Sequence, residues 1–305
     1  MLRFVTFAVK LQLNVHDLNN EGAFGNVTDI RIIEFLDEKG NKIEAPAVSG
    51  RMLKHWHLEC MRRLIMFSGK DKSIKLCDMC MAGEPTRPGT LGEDQKRCAI
   101  CDIHGYLITK KGANEENTRR VSRVMFSWLM PVLGFDTTVK QVLHTRVCQQ
   151  QKTDDETSGQ MIFSKSYASG IYAFVSALDV DRIGLVESNF RTGNPYVIND
   201  NERKERIKIA IEAYRLMISG QLGASLSHAL PHSNPVEVLI AYSETGPLPF
   251  PVSPMYRDYI EKTVGLMPEW AKLLYWGEDT PQGVQKKSTI NELFEELLHK
   301  VENGA

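Results

Sequence analysis

The chain has 305 residues, 42% of them hydrophobic and 25% charged, with a formal net charge of -1. That length and balance belong to an ordinary globular protein of one large or two smaller domains, and the near-zero charge exerts no overall pull on nucleic acid. No apolar run approaches the roughly twenty residues that cross a bilayer, and residues 1–10 are interrupted by charge, unlike a signal peptide. The expected location is the cytoplasm, with no membrane partner and with thiols kept reduced.

Val5, Phe7, Val9, Leu11, Leu13 and Val15 alternate with largely polar residues, the period of a strand with one buried face. Residues 19–28 are rich in turn formers and read as a loop. Residues 31–35 and 43–48 read as hairpin arms turned by residues 37–41. Ser49-Gly50 opens a helix that runs to about Met66. Leu53, Trp56, Cys60 and Leu64 lie on one face of it, and Arg51, Lys54, His55 and Arg62 lie largely on the other.

Next come two cysteine pairs, Cys77-Asp-Met-Cys80 and Cys98-Ala-Ile-Cys101, with seventeen residues between them. Each pair lets one tight turn aim two sulfurs at one point. Together they have the spacing of a closed, structural four-thiolate zinc site. Two disulfides or four unrelated thiols are the other readings, and a reducing compartment weighs against the first. Cys60 and Cys148 are left over, as a buried and a partly exposed thiol.

Further along, residues 105–109 and 119–129 read as strands and 110–117 as a polar turn. Residues 142–147 and 160–164 read as the arms of a long hairpin with a hydrophilic tip, and 170–178 as a strand. Asn199 caps a second long helix whose stripe is Ile207, Ile211, Tyr214 and Ile218, ended by Gly220. Residues 235–242 form the next strand. Thr289-Ile-Asn-Glu292 is a capping box opening a last helix. Without its insertions this is the strand–helix–strand, strand–helix–strand order of an α+β, ferredoxin-like fold, the sheet that also serves as the RNA-recognition module (RRM). That order alone does not assign a function.

Three clusters have chemistry to offer. Ser49 and Gly50 stand at a helix start, where free N–H groups and the dipole favour an anion, and Arg51, Lys54 and His55 follow on an exposed face. Asn26, Thr28 and Arg31 belong to the same group. The other reading is a capped helix with a solvated basic face. In the second cluster, Gln221, Gly223 and Ser225 form a small-residue loop after a helix end, suited to close backbone approach or to a simple Gly-capped turn. In the third, the hairpin arms carry Arg146, Met161 and Phe163, which would stack on bases or plug a neighbouring surface. Residues 51–111 hold twelve Lys or Arg against seven Asp or Glu, while residues 244–305 hold six against ten. A basic middle and acidic end suit an anion-facing side, and equally an ordinary solvated surface. No hydrolase, metalloprotease or nucleotide-binding motif is present, and the eight histidines are scattered.

The ordered set Leu13-Asn-Val-His-Asp-Leu-Asn19, Gly25-Asn-Val-Thr28, Ala45-Pro-Ala-Val-Ser-Gly-Arg-Met-Leu-Lys-His-Trp56, Asp102-Ile-His-Gly105, residues 160–170, Asn201-Glu-Arg-Lys204 and Ser219-Gly-Gln-Leu-Gly-Ala224 resembles the CRISPR-associated autoregulator (DevR) family. These are RAMP-superfamily backbone proteins of type I Cascade, and the likeness is greatest to the type I-A branch. The resemblance implies a hand-shaped, non-catalytic protein. Its RRM-like palm would comprise residues 1–69, 102–142 and 166–245, with a zinc-binding finger insertion at 70–101. Residues 143–165 would be a β-hairpin thumb, and 246–305 a C-terminal helical segment on the palm.

The implied partners are a CRISPR RNA, the target DNA strand paired to it, further copies in a helical filament, other Cascade subunits and a helicase-nuclease. Asn26, Thr28, Arg31, Ser49, Gly50, Arg51, Lys54 and His55 would grip guide phosphates. Gln221, Gly223 and Ser225 would form the close-approach loop, and Met161 and Phe163 the thumb's wedge. The rival expectation is a RAMP-type endoribonuclease that processes repeat RNA with a histidine as general base.

Overall fold

The structure, a computed structural model, describes residues 1–18, 20–67, 74–83, 96–108, 118–147, 160–222, 226–227 and 229–304. In chain order the elements are β1 (Phe4–His16), β2 (Asn20–Phe24), β3 (Val27–Ile30), β4 (Ile32–Leu36), β5 (Lys42–Pro46) and α1 (Gly50–Phe67). Then come α2 (Asp78–Ala82), α3 (Ala99–His104), β6 (Tyr106–Ile108), β7 (Thr118–Arg120), β8 (Val124–Phe126), β9 (Met130–Pro131), β10 (Thr138–Val147) and β11 (Gln160–Asp179). The chain closes with α4 (Asp200–Ile218), β12 (His232–Ser243), α5 (Tyr259–Leu266), β13 (Lys272–Trp276), β14 (Gln285–Lys286) and α6 (Ile290–Glu302).

The alternating residues of β1 make it the centre of the main sheet. It pairs antiparallel with β11 on one side and β12 on the other, so that Val9 faces both Phe174 and Val238. The sheet runs β14-β13-β12-β1-β11-β3-β2, and β8, β9 and β10 also pair with β11. One set of β1 side chains, Val5 to Leu13 at every second position, is buried in the principal core. It packs there with Leu53 and Met61 of α1, Ile207, Ile211 and Tyr214 of α4, and Leu293, Phe294 and Leu297 of α6. The Phe7 ring stacks on Tyr214 with centroids 4.0 Å apart, and each such buried aromatic contributes roughly 1.5–3 kcal/mol through its removal from water.

The opposite sheet face is also covered. Phe4, Ala177 and Ala241 pack with Leu248 and Ala271, and Ala8 and Leu239 pack with Tyr259 and Tyr275. Thus residues 248–271, α5 among them, cross this second face, while α6 packs against α4 on the first.

Two readings of the sequence need correction. Residues 19–28 are not a loop, because β2 and β3 form a hairpin about Gly25 (φ 59°) and Asn26. Residues 119–129 are not one strand. The backbone leaves β7, Arg123 N–H turns in to the Ile103 carbonyl at 2.7 Å, and β8 then starts afresh. The long hairpin is larger than expected. β10 pairs with β11 from Thr138↔Ser169 to Val147↔Gln160, and the 170–178 strand is the continuation of β11. The caps stand where they were expected: Asn199 accepts from Glu202 N–H and Thr289 from Glu292 N–H. Among the described residues, no helix is long and apolar enough to cross a membrane.

Candidate nucleic-acid interface

Helix α1 begins with Ser49, whose hydroxyl accepts from Met52 N–H at 3.3 Å. Gly50 is a seating residue. A Cβ there would lie 2.5 Å from the Phe126 carbonyl oxygen and 2.7 Å from that of Ser127. This close approach fixes the helix start against the end of β8, and the following turns present Arg51 and His55 to solvent, with Lys54 half-buried between them. These three side chains line one side of an open cleft of about 420 Å³. Leu58, His104, Gly105, Tyr106, Leu107, Arg120 and Ser122 complete it. Arg31 lies near the same helix start. Its guanidinium stands 6.0 Å from the Trp128 ring centroid, and its carbonyl accepts from Ala47 N–H.

A second group lies on the long hairpin. β3 runs parallel to β11, pairing Val27 with Ser164 and Thr28 with Lys165, and the Asn26 carbonyl accepts from Ser164 N–H at 2.8 Å. Phe163 is 37% exposed and stacks on His144, with centroids 5.2 Å apart. Leu143 and Ile162 are exposed on the opposite face of the hairpin. Arg146 and Met161 are register partners across the hairpin. Gln221 sits beside the middle of α1, where its carbonyl faces the buried Cys60 thiol, and burial pushes that thiol up to about 11. Gly223 and Ser225, like Cys148, lie outside the described residues.

Behind the cleft is a buried polar core that the sequence did not disclose. Asp102 receives the guanidiniums of Arg120 and Arg206 and the Gly184 N–H. Burial pushes the Asp102 carboxyl up, and Arg206 and Arg120 oppose that push. His57 is fully buried: its Nε2 lies 2.9 Å from the Ala210 carbonyl and its Nδ1 lies 3.0 Å from His104 Nε2. A carbonyl only accepts, so Nε2 of His57 carries the proton and Nδ1 accepts from His104. Burial lowers His57 to about 3 and His16 to about 4, so both are neutral and engaged in packing.

The four cysteines converge. Cys101 Sγ lies 3.8 Å from Cys77 Sγ and 3.7 Å from Cys80 Sγ, and all four sulfurs fall within 4.8 Å of one another. A tetrahedron of thiolates around an ion, with metal–sulfur bonds of 2.3 Å, has edges of about 3.8 Å. The donor set therefore fits one metal ion, and these four cysteines carry no disulfide.

Of the cleft, the cationic side was legible as a helical face. Its opposite side, Tyr106 and Leu107, was not, because only the fold brings it there. The signal that existed was the Gly105 backbone, which packs so closely on Arg120 that a Cβ would lie 2.3 Å from its carbonyl oxygen.

Comparison with known proteins agrees with this architecture. The family profile described as CRISPR-associated negative auto-regulator DevR/Csa2 matches residues 7–264. A protein of Methanocaldococcus jannaschii named CRISPR-associated protein Cas7/Cst2/DevR is 30% identical over 98% of this chain and 100% of its own length. A Thermoproteus tenax protein of the same name is 29% identical over 99% and 96%, and Cas7/Csa2 1 of Saccharolobus solfataricus is 26% identical over 89% of each. The fold is similar to that of chains from two solved assemblies. One, titled CRISPR RNA-guided surveillance complex, pre-nicking, gives a TM-score of 0.59 at 13% identity, covering 98% of this chain and 99% of the other. The second, titled CRISPR RNA-guided surveillance complex, gives 0.56 at 15% identity, covering 97% and 98%. With a family match spanning most of its length, this chain belongs to the CRISPR-associated DevR/Csa2 family.

Proposed function

We propose that the protein is a non-catalytic, RNA-binding backbone subunit of a CRISPR surveillance complex. The observation that carries this reading is the cleft in which Arg51, Lys54 and His55 flank the seated start of α1. It is a surface that contacts phosphates and is blind to base identity. The order β12-β1-β11-β8, antiparallel throughout, supports identifying the core as an RRM-like palm. The β10–β11 hairpin then acts as the thumb, with Phe163 on one face and Ile162 and Leu143 on the other as an apolar wedge for bases. Copies line up head to tail along a cytoplasmic guide RNA, leaving its bases to pair with a target DNA strand that a separate helicase-nuclease cuts. One zinc ion held by Cys77, Cys80, Cys98 and Cys101 staples the insertion.

The test is RNA binding with cleavage monitored in the same samples. Binding that strengthens with RNA length, weakens with salt and with Lys54→Glu, and leaves the RNA intact is expected. Cleavage of repeat RNA abolished by His55→Ala would put the endoribonuclease in its place. Metal analysis of the purified chain should return about one zinc per chain.

A further inference from the structure

The cysteine cluster and the cationic cleft share residues. Tyr106 and Leu58 line the cleft and also belong to the small apolar cluster built around Cys80, Cys98 and Cys101. Leu58 is on α1, the helix that supplies Arg51, Lys54 and His55. Tyr106 opens β6 just beyond α3. The link between sulfur and cleft is short. Cys98 Sγ accepts from Cys101 N–H at 3.4 Å, capping α3, and the Cys101 carbonyl accepts from Gly105 N–H at 3.2 Å. Gly105, in the left-handed region at φ 67°, then turns the chain into the cleft side. On the far side, α2 is tied to α1 through Arg62, which donates to the Met81 carbonyl at 3.1 Å.

Among the described residues, the members of this cluster apart from the sulfurs are Leu58, Ile100, Tyr106 and the half-buried Ile65 and Leu76. Asp102 ties α3 to the main body, but so few apolar groups do not fix α2 and the Cys98 turn against it, and in small modules of this kind ion binding supplies the missing order.

We propose that the metal-loaded knuckle is one side of the RNA cleft, so that metal occupancy sets RNA affinity. The inference rests on the function proposed above and extends it. The ion touches no nucleic acid. It fixes Tyr106 and Leu107 across the cleft from Arg51 and Lys54. Without the ion, the cations stay on α1, which is anchored independently in the main core through Leu53 and Met61, but they face open solvent.

The experiment compares the full chain, zinc-loaded and stripped by chelation under reducing conditions. A fluorescently labelled single-stranded RNA is the probe, and circular dichroism reports the fold. The expected result is a largely retained spectrum, RNA affinity lowered about tenfold or more, the scale of a lost charge-assisted contact, and recovery on adding zinc. Equal affinity with and without metal overturns the inference and leaves the proposed function standing. Failure of the zinc-loaded chain to bind RNA overturns both. If stripping unfolds the whole chain, Leu107→Glu decides. Leu107 is 66% exposed on the knuckle side of the cleft. A zinc-loaded, folded Leu107→Glu chain should bind RNA more weakly, with the deficit shrinking as salt rises. Undiminished binding by that variant overturns the inference.

Discussion

Gly50 lies where a substitution that normally favours a helix does the opposite. Alanine at a helical position is ordinarily worth up to about 1 kcal/mol over glycine. Here its methyl group would press on the Phe126 and Ser127 carbonyl oxygens at 2.5 and 2.7 Å, and backbone does not yield as a side-chain tip would. Gly50→Ala should therefore destabilise the protein by about 1–3 kcal/mol in urea unfolding, and a gain in stability would show that α1 is not seated on β8. The buried histidines make a prediction of pH. In the native chain, burial holds His57 at about 3 and His16 at about 4, both below the ordinary 6.5. Below pH 6.5 the unfolded chain takes up protons there and the native chain does not. The contribution of these sites to stability is thus complete above pH 6.5 and falls with pH, by about 1.4 kcal/mol per pH unit for each histidine, until the native value is reached. Thermal unfolding at pH 7.5 and 5.5 should show the loss, and His57→Gln should flatten it; the same slope in that variant would place the proton uptake elsewhere.

Helix α3 spans only Ala99–His104, yet it joins the cysteine cluster, the cleft and the principal core. Its anchor is Asp102, fully buried with the equally buried guanidiniums of Arg120 and Arg206. Removing the carboxylate strands two charges in a dry site, so Asp102→Asn should cost about 3–5 kcal/mol; a loss below about 1 kcal/mol, the scale of an exposed pair, would mean that Glu187 and Glu202 carry the arginines alone. Asp102, Arg120 and Arg206 lie far apart in the sequence, and no local pattern pairs them. What was legible was local: the two-residue period of β1, the Asn199 and Thr289 caps, the cysteine spacing, and the cationic face of α1. The β2–β3 hairpin was not, because its Asn and Gly residues are those of a loop, and parallel pairing with β11 is a tertiary event. The 119–129 segment alternates well enough for a strand, but burying Arg123 against Glu187 requires the break.

At the scale of the whole molecule, the C-terminal region limits where the RNA of the proposed function could lie. In an open recognition sheet, bases stack on the helix-free face. Here Thr6 and Ala8 on the corresponding face have no exposure, because residues 248–271, including α5, lie across it. On the proposed function, a nucleic acid strand is left the α1 cleft and the hairpin. Lys165 is occupied by Asp17, and Lys10 by Glu237 at 2.8 Å. Arg31, Arg51 and Lys54 stand around the start of α1. If those three neutralise three phosphates of a single strand, the log–log dependence of RNA affinity on salt should have a slope of about -2 per bound copy. Titrations at several salt concentrations with RNAs of increasing length measure it. A slope near -2 for an RNA that holds one copy agrees with the confined path, and the number of copies should rise in steps with length. A slope more than about twice as steep would mean that many more phosphates are engaged per copy, which the cleft alone does not supply, and would move the RNA path onto another surface of the molecule.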